Sequence, residues 1–277
     1  MSRALVLGGG GTAGIAWQTG LLAGLEFSGT NALNVDMILG TSAGATVAAQ
    51  VTSPMSLTEL MRRQTDPALQ VAELKPPIPV ADVFTRIGEL AVQYPEQTAL
   101  RRAIGVFALT QWTVDEPTRR AVIAERLPSH DWPRTPLYVV AVRADNGETA
   151  IFGQGSGVRL VDAVAASCAV PGVWPPVTLG AHRYIDGGVR SGANVDLVGT
   201  HDKVLVIAPM APDLDVALNL QIAAISSTSA VNLIVPDAAS REAIGPDPLD
   251  NSVRAPTARA GFAQGQLIAE SVRQFWD

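Results

Sequence analysis

The stretch from Asp36 to Val51 constrains this chain more than any other. An apolar run ends in Gly40-Thr41-Ser42-Ala43-Gly44, and a run of helical character, Ala45 to Val51, begins at once. A strand that becomes a helix within five residues has to turn sharply. Small residues on both sides of Ser42 permit that turn and lift its hydroxyl above the sheet edge. The plainer reading is that Ser42 caps the following helix, but a cap does not need glycine on both flanks. Such a turn belongs to parallel sheets covered by helices, whose chemistry collects outside the carboxyl ends of the strands.

A second turn of this kind lies near the N-terminus. Ala4 to Leu7 reads as a buried strand, and Gly8, Gly9, Gly10, Gly11, Thr12, Ala13 and Gly14 follow it and open a helix. Read from Gly9, the loop satisfies the dinucleotide pattern G-x-G-x-x-G, which also expects an acidic residue at the end of the second strand to hold a ribose. That strand ends in Leu39-Gly40, while Asp36 begins it and Glu26 lies in the preceding helix. A P-loop needs Lys and Ser/Thr after the last glycine, where this chain has Ile15-Ala16. Two readings stay open: glycines needed only for a tight turn, or backbone N–H groups gathered at a helix N-terminus to hold a developing negative charge.

A reactive Ser42 needs a proton acceptor, and the histidines are His130, His182 and His201. His130 lies in a loop-like Ser-His-Asp-Trp-Pro stretch, and His201 precedes a strand, at the edge opposite to the expected site. His182 starts the strand that leads to Asp186, and four residues at ~3.3 Å each put the two roughly 13 Å apart, too far for one relay. Only one strand precedes the elbow, whereas an ordinary α/β-hydrolase has several before its nucleophile. Asp186 ends the apolar pair Tyr184-Ile185 and precedes Gly187-Gly188, so the chain turns and leaves the carboxylate at the sheet edge where the other two turns emerge. A carboxylate of ordinary pKa is a weak base toward serine; desolvation raises it and a direct hydrogen bond couples proton transfer to attack. The alternative for Asp186 is a plain Asp-Gly turn.

Strands are expected at Ala4–Leu7, Asp36–Leu39, Leu137–Val142, Thr149–Phe152, Arg183–Ile185 and Lys203–Ile207. Helices are expected at Ile15–Phe27, Ala43–Val51, Leu57–Gln64, Thr118–Arg126, Leu160–Cys168 and Pro256–Phe275. This alternation predicts an α/β fold, a three-layer α/β/α sandwich around a mainly parallel sheet, in a single domain over residues 1–277. Between Ser53 and Pro136 prolines recur without a strong strand signal, so residues 53–136 read as short helices and loops, either a cap or lid insertion or ordinary connections on one sheet face.

Charge narrows the partners. Asp and Glu number 26 against 20 Lys and Arg, a net charge of -6, which argues against nucleic acid and against electrostatic capture by anionic membranes. A small-molecule, lipid or protein partner remains, and apolar peripheral contact with a membrane stays open. The single cysteine, Cys168, excludes an internal disulfide and reads as a small buried hydrophobe. The first residues lack the apolar core of a signal peptide, and the longest apolar candidate for a membrane span, Ile222 to Val235, contains five Ser, Thr or Asn residues. A cytoplasmic location, with membrane-peripheral contact as the variant, is the expectation.

Together these residues resemble the patatin-like phospholipase family. The resemblance rests on GGGGTAG at 8–14, GTSAG at 40–44, ASCAVPGVWPPV at 166–177 and GAHRYIDGGVRSGANVD at 180–196, and covers residues 1–52 and about 137–275. It implies a Ser-Asp dyad with Ser42 as nucleophile and Asp186 as base, an oxyanion hole from the amides of Gly10 and Gly11 with Gly9 as a third member, and supporting turns at Gly14, Gly40, Gly44, Gly187 and Gly188. It further implies hydrolysis of lipid acyl esters without a metal or other cofactor. Two positions depart from the family: Ala13 stands where Arg or Lys is usual, and Asn194-Val195-Asp196 replaces Asn-x-Pro. Loss of the cation implies a looser glycine loop or weaker binding of anionic substrates. A non-catalytic lipid or acyl-chain binder of the same fold is the rival, and a nucleotide-dependent oxidoreductase accounts for the glycine loop alone.

The arginine pairs Arg62-Arg63, Arg101-Arg102 and Arg119-Arg120 read either as a site for a headgroup or fatty-acid carboxylate or as solvated helix faces. Trp112, Trp132 and Trp174 read as acyl-channel lining or as core.

Overall fold

Leu5 and Leu7 face one side of the first strand and Ala4 and Val6 the other, and all four are fully buried. A strand apolar on both faces has to be covered on both faces. The computed structural model, which describes residues 1–76, 78–210 and 216–276, does this with helices above and below one sheet.

In chain order the elements are β1 (Arg3–Leu7), α1 (Gly11–Phe27), β2 (Met37–Thr41), α2 (Ala43–Val51), α3 (Leu57–Thr65), α4 (Val80–Gln93), α5 (Gln97–Thr110), α6 (Glu116–Arg126), β3 (Leu137–Arg143), β4 (Thr149–Phe152), α7 (Leu160–Ser167), β5 (Val177–Leu179), β6 (His182–Asp186), β7 (Lys203–Ile207), α8 (Val216–Ile225), β8 (Ala230–Ile234), α9 (Ala238–Ile244) and α10 (Arg254–Trp276). The sheet runs β5-β6-β3-β2-β1-β7-β8, with β4 also on β3. β3, β2, β1, β7 and β8 are parallel, whereas β4 and β6 run antiparallel to β3.

On one face, Leu5, Leu7, Ile38, Val139 and Leu205 pack against α1, α2, α3, α7 and α10. On the other, Val6, Leu39 and Val206 pack against α8 and the segment around Val195, while α4 and α5 cover Val142 and Ile185 through Leu90 and Ile104. This is the expected three-layer α/β/α arrangement.

The expected strands are present, shifted by a residue or two. β5 and β8 were not legible: β5 is three residues long after Pro175-Pro176, and β8 is an edge strand interrupted by Asn232 with only Ile234 buried. Residues 53–136 hold longer helices than expected, α4 and α5 being 14 residues each. The prolines there mark boundaries: Pro79 precedes α4, Pro95 separates α4 from α5, and Pro117 sits in the first turn of α6, where proline is tolerated. Among the described residues no helix is long and apolar enough to cross a membrane.

Candidate active site

Ser42 occupies the turn between β2 and α2 with φ 53° and ψ -117°. Only Asn194 shares a positive φ among the described non-glycine residues, and such geometry costs of the order of 1–3 kcal/mol wherever the surroundings enforce it. The flanking glycines are required by close approach. A Cβ on Gly40 would lie 2.6 Å from Ala45 Cα, and one on Gly44 would lie 1.9 Å from Leu7 O. The Ser42 amide donates to Ser167 Oγ at 2.8 Å, and Ser167 Oγ donates in turn to Val140 O at 2.6 Å. Cys168, which caps α7, donates its thiol to Ser42 O at 3.2 Å. The cysteine read as a buried hydrophobe thus also fixes the carbonyl of the elbow.

Ser42 Oγ donates to Asp186 Oδ2 at 2.7 Å. The reason is topological. β3 has two edges; residues 139–140 pair with both β2 and β4, so these take opposite edges. Residues 141–142 pair with β4 and β6, so β6 takes the edge that β2 has just vacated. β2 running up and β6 running down therefore meet tip to tip beside β3, Thr41 opposite Val140 and Asp186 opposite Ala141. The expectation put Asp186 on the carboxyl edge because a strand ends there, but β6 is antiparallel, and its end points toward the opposite edge. It reaches Ser42 because β6 covers only the last three residues of β3.

The tip-to-tip junction leaves no room for side chains: a Cβ on Gly187 would lie 2.3 Å from Val140 O. Gly188 N–H donates to Asp186 Oδ1 at 2.7 Å. Burial raises the Asp186 carboxyl from 3.8 to about 6, with the hydrogen bonds from Ser42 and Gly188 pulling it down. A carboxylate with that pKa is ionised at neutral pH yet close enough to it to take and return a proton.

The glycine loop is shorter than expected, because α1 already begins at Gly11. Gly8 N–H donates to Ile207 O at 2.9 Å and Gly9 N–H to Gly192 O at 2.8 Å, so the Gly9 amide is engaged and does not serve as a third oxyanion donor. A Cβ added to Gly9 would lie 3.5 Å from Ser42 Cβ, so this glycine stands beside the serine. The N–H groups of Gly10 and Gly11 make no backbone hydrogen bond among the described residues, and Gly14 N–H closes the first turn onto Gly10 O at 2.6 Å. Gly11, at φ 61°, lines one cavity with Ser42. Ala13, where the family carries a cation, is fully buried and its N–H donates to Pro248 O at 3.0 Å.

Asn194, the asparagine of the stretch at 180–196 on which the resemblance partly rests, was given no role by the sequence, and the structure places it between the two turns. Fully buried in the left-handed region, it donates from Nδ2 to Thr41 Oγ1 (3.1 Å), Gly187 O (3.2 Å) and Ser191 O (2.8 Å). It ties the residue before Ser42 to the residue after Asp186. Its buried, donor-rich clamp has no signature in one sequence beyond the asparagine itself.

The histidines lie elsewhere: His130 at Ala124 O, His182 beside Arg143 and His201 before β7. None hydrogen-bonds Ser42 or Asp186. Trp112 is exposed and Trp132 donates to Val158 O, whereas Trp174 lines the Ser42 cavity. Of the arginine pairs, only Arg119 reaches that cavity; Arg120 pairs with Glu116 and Asp162. Among the described residues no group of three or more His, Cys, Asp or Glu side chains converges to hold a metal.

A family model described as patatin-like phospholipase matches residues 5–198, and the chain belongs to the patatin-like phospholipase family, a class of ester-hydrolysing enzymes. No curated protein sequence matches it significantly. Among solved structures it is similar to VipD from Legionella pneumophila, with 12% identity over 98% of this chain and 67% of that one, at a TM-score of 0.49. It is also similar to the heterodimeric ExoU-SpcU complex from the type III secretion system of Pseudomonas aeruginosa, with 17% identity over 99% of this chain and 52% of that one, at a TM-score of 0.44. The chain thus spans about half the length of the second neighbour.

Proposed function

We propose that this protein is a serine hydrolase of lipid acyl esters, working through a Ser42-Asp186 dyad. The observation that carries the reading is the 2.7 Å hydrogen bond from Ser42 Oγ to a buried carboxylate whose pKa is raised to about 6. Ser42 Oγ attacks the ester carbonyl carbon as its proton passes to Asp186 Oδ2. The carbonyl oxygen becomes an oxyanion, held by the amides of Gly10 and Gly11 at the positive end of α1. The intermediate collapses, the C–O bond to the alcohol breaks, and Asp186 returns the proton to the leaving oxygen. A water then gives a proton to Asp186 and attacks the acyl-serine, the fatty acid leaves, and Ser42 regains its proton.

Serine hydrolysis through this dyad needs no third residue, because the carboxylate bonds the hydroxyl directly. Losing one oxyanion donor typically costs ~3 kcal/mol of barrier. The test compares wild type, Ser42→Ala and Asp186→Asn on p-nitrophenyl esters of increasing chain length and on phospholipids, with a fluorophosphonate probe for the serine. Hydrolysis and labelling that vanish in Ser42→Ala support the reading. Native-rate hydrolysis by Ser42→Ala refutes it, and a wild type that neither labels nor hydrolyses is the lipid binder instead.

A further inference from the structure

Positive charge accumulates beside Ser42. Arg119 and Arg126 stand seven residues apart on α6, two turns along one face, and both are buried. They line the same cavity as Ser42, together with Glu73, Cys168 and Trp174. Glu73 receives both of them, Arg119 on Oε1 and Arg126 on Oε2. Two guanidiniums therefore share one carboxylate. The buried Arg119 Nε has no hydrogen-bond partner among the described residues, and the Arg119 guanidinium lies 3.8 Å from the Trp174 ring centroid. The Asp186 oxygens are engaged by Ser42 and Gly188, and Asp186 forms no ion pair with either arginine among the described residues. Two buried guanidiniums against one carboxylate leave a net positive charge here, which buried arginines held only for structure do not usually carry, and Arg119 keeps one unused donor in its Nε.

The place that Glu73 fills has the geometry of an anion site, two planar forks converging on two oxygens, which suits a phosphate as well as a carboxylate. Glu73 itself sits on residues 70–76, a strap without regular secondary structure. The strap is tied at Gln70, which donates to Gln64 O at 2.7 Å, and at Val71, whose O accepts from Arg254 at 3.2 Å. Next to Glu73, Leu74 packs into the apolar cluster of Val83, Val173 and Trp174. That cluster borders a groove of about 670 Å³ between α4 and α5, lined by Val83, Leu90, Val106 and Phe107. With the strap in place the Ser42 cavity is only about 20 Å³, room for a water and not for an acyl chain.

We propose that Arg119 and Arg126 form the binding subsite for an anionic group of the substrate, a phosphate ester or carboxylate carried close to the scissile ester, and that Glu73 fills this subsite until the substrate displaces it. Exchange of one anion for another leaves both guanidiniums paired. Releasing Glu73 also withdraws Leu74 from the cluster that separates the Ser42 cavity from the groove, so recognition of the anion and admission of the acyl chain become one event. The subsite also supplies, from α6, the cation that the glycine loop lacks at Ala13.

The proposal rests on Ser42 as the reacting group, so its test reads binding alone and stands or falls apart from hydrolysis. Dodecyl phosphate and the neutral 1-O-dodecylglycerol, both below their micellar concentrations, are titrated calorimetrically into wild type, Arg126→Gln, Arg126→Lys and Glu73→Gln, each checked for folding by circular dichroism. The ratio of the two affinities is the readout, which a general loss of stability does not move. Wild type is expected to favour the phosphate by about tenfold or more, the scale of a charge-assisted hydrogen-bond pair. Arg126→Gln is expected to bring the ratio close to one, Arg126→Lys to keep part of it, and Glu73→Gln to raise it severalfold. Inorganic phosphate, as the free-ion control, is expected to bind about tenfold or more weakly than dodecyl phosphate, since it lacks the chain. No preference in wild type, a ratio indifferent to Arg126→Gln, a ratio lowered by Glu73→Gln, or inorganic phosphate binding as tightly as the alkyl phosphate would each overturn the proposal.

Discussion

Replacing Asp186 by Asn should abolish hydrolysis and make the protein more stable at neutral pH. Burial raises the carboxyl from 3.8 to about 6, so the folded state holds its proton more tightly than the unfolded chain does. Stability from this group is complete below pH 3.8 and is lost as the pH rises through about 6. At 1.36 kcal/mol per pH unit, the gap makes the ionised protein less stable by about 3 kcal/mol at pH 8. Asparagine is nearly isosteric and keeps the acceptor for Gly188 N–H, but its amide faces the Ser42 hydroxyl, which must turn and give up one hydrogen bond worth about 1 kcal/mol. The expected net gain is about 2 kcal/mol at pH 8, falling by a similar amount toward pH 4. Urea unfolding of both proteins at pH 4, 5, 6 and 8 checks it, since other titrating groups cancel in the difference. An offset that does not change with pH, or an asparagine variant less stable at pH 8, would refute the desolvation argument. The wild-type kcat/KM should rise through about pH 6 and level off above it, as Asp186 becomes able to accept a proton.

Three further outcomes follow from the same geometry. Ser42→Gly should be inactive yet more stable than Ser42→Ala by about 1 kcal/mol in urea unfolding, because glycine accepts the positive φ without strain. Gly44→Ala should lower stability by about 3 kcal/mol or prevent folding, since its Cβ would meet Leu7 O at 1.9 Å; a soluble variant with native thermal midpoint would contradict the elbow packing. Asn194→Ala should lower kcat tenfold or more with little change in KM and cost about 2–3 kcal/mol of stability, as three buried acceptors lose their donor; a KM effect alone would argue against positioning.

Much of the site could be read along the chain because its parts are local. Gly40-Thr41-Ser42-Ala43-Gly44 carries its own steric requirement, and so does the run of glycines after β1. A helix beginning in a glycine loop made gathered N–H groups one of two readings there, and only the family resemblance singled out Gly10 and Gly11. The engagement of Gly9 did not follow, because its partner, Gly192 O, is 183 residues away in sequence. Nor did the roles of Ser167, Cys168 and Asn194, each of which acts through a hydrogen bond to a residue on another strand or turn. In residues 53–136 prolines suggested broken structure, yet Pro79, Pro95 and Pro117 fall at helix boundaries, leaving α4 and α5 intact.

By itself the sequence determined the sheet-and-helix alternation, the sharp serine turn and the candidate acid, since apolar period, glycine placement and residue chemistry are properties of short segments. Tertiary structure decided whether serine and acid meet. They are 144 positions apart, and they touch because an antiparallel strand takes over the edge of β3 where a parallel one stops. Tertiary structure also brought Glu73 between Arg119 and Arg126 beside Ser42, because burying charge in so small a cavity requires an opposite charge, and only the folded chain determines which one arrives.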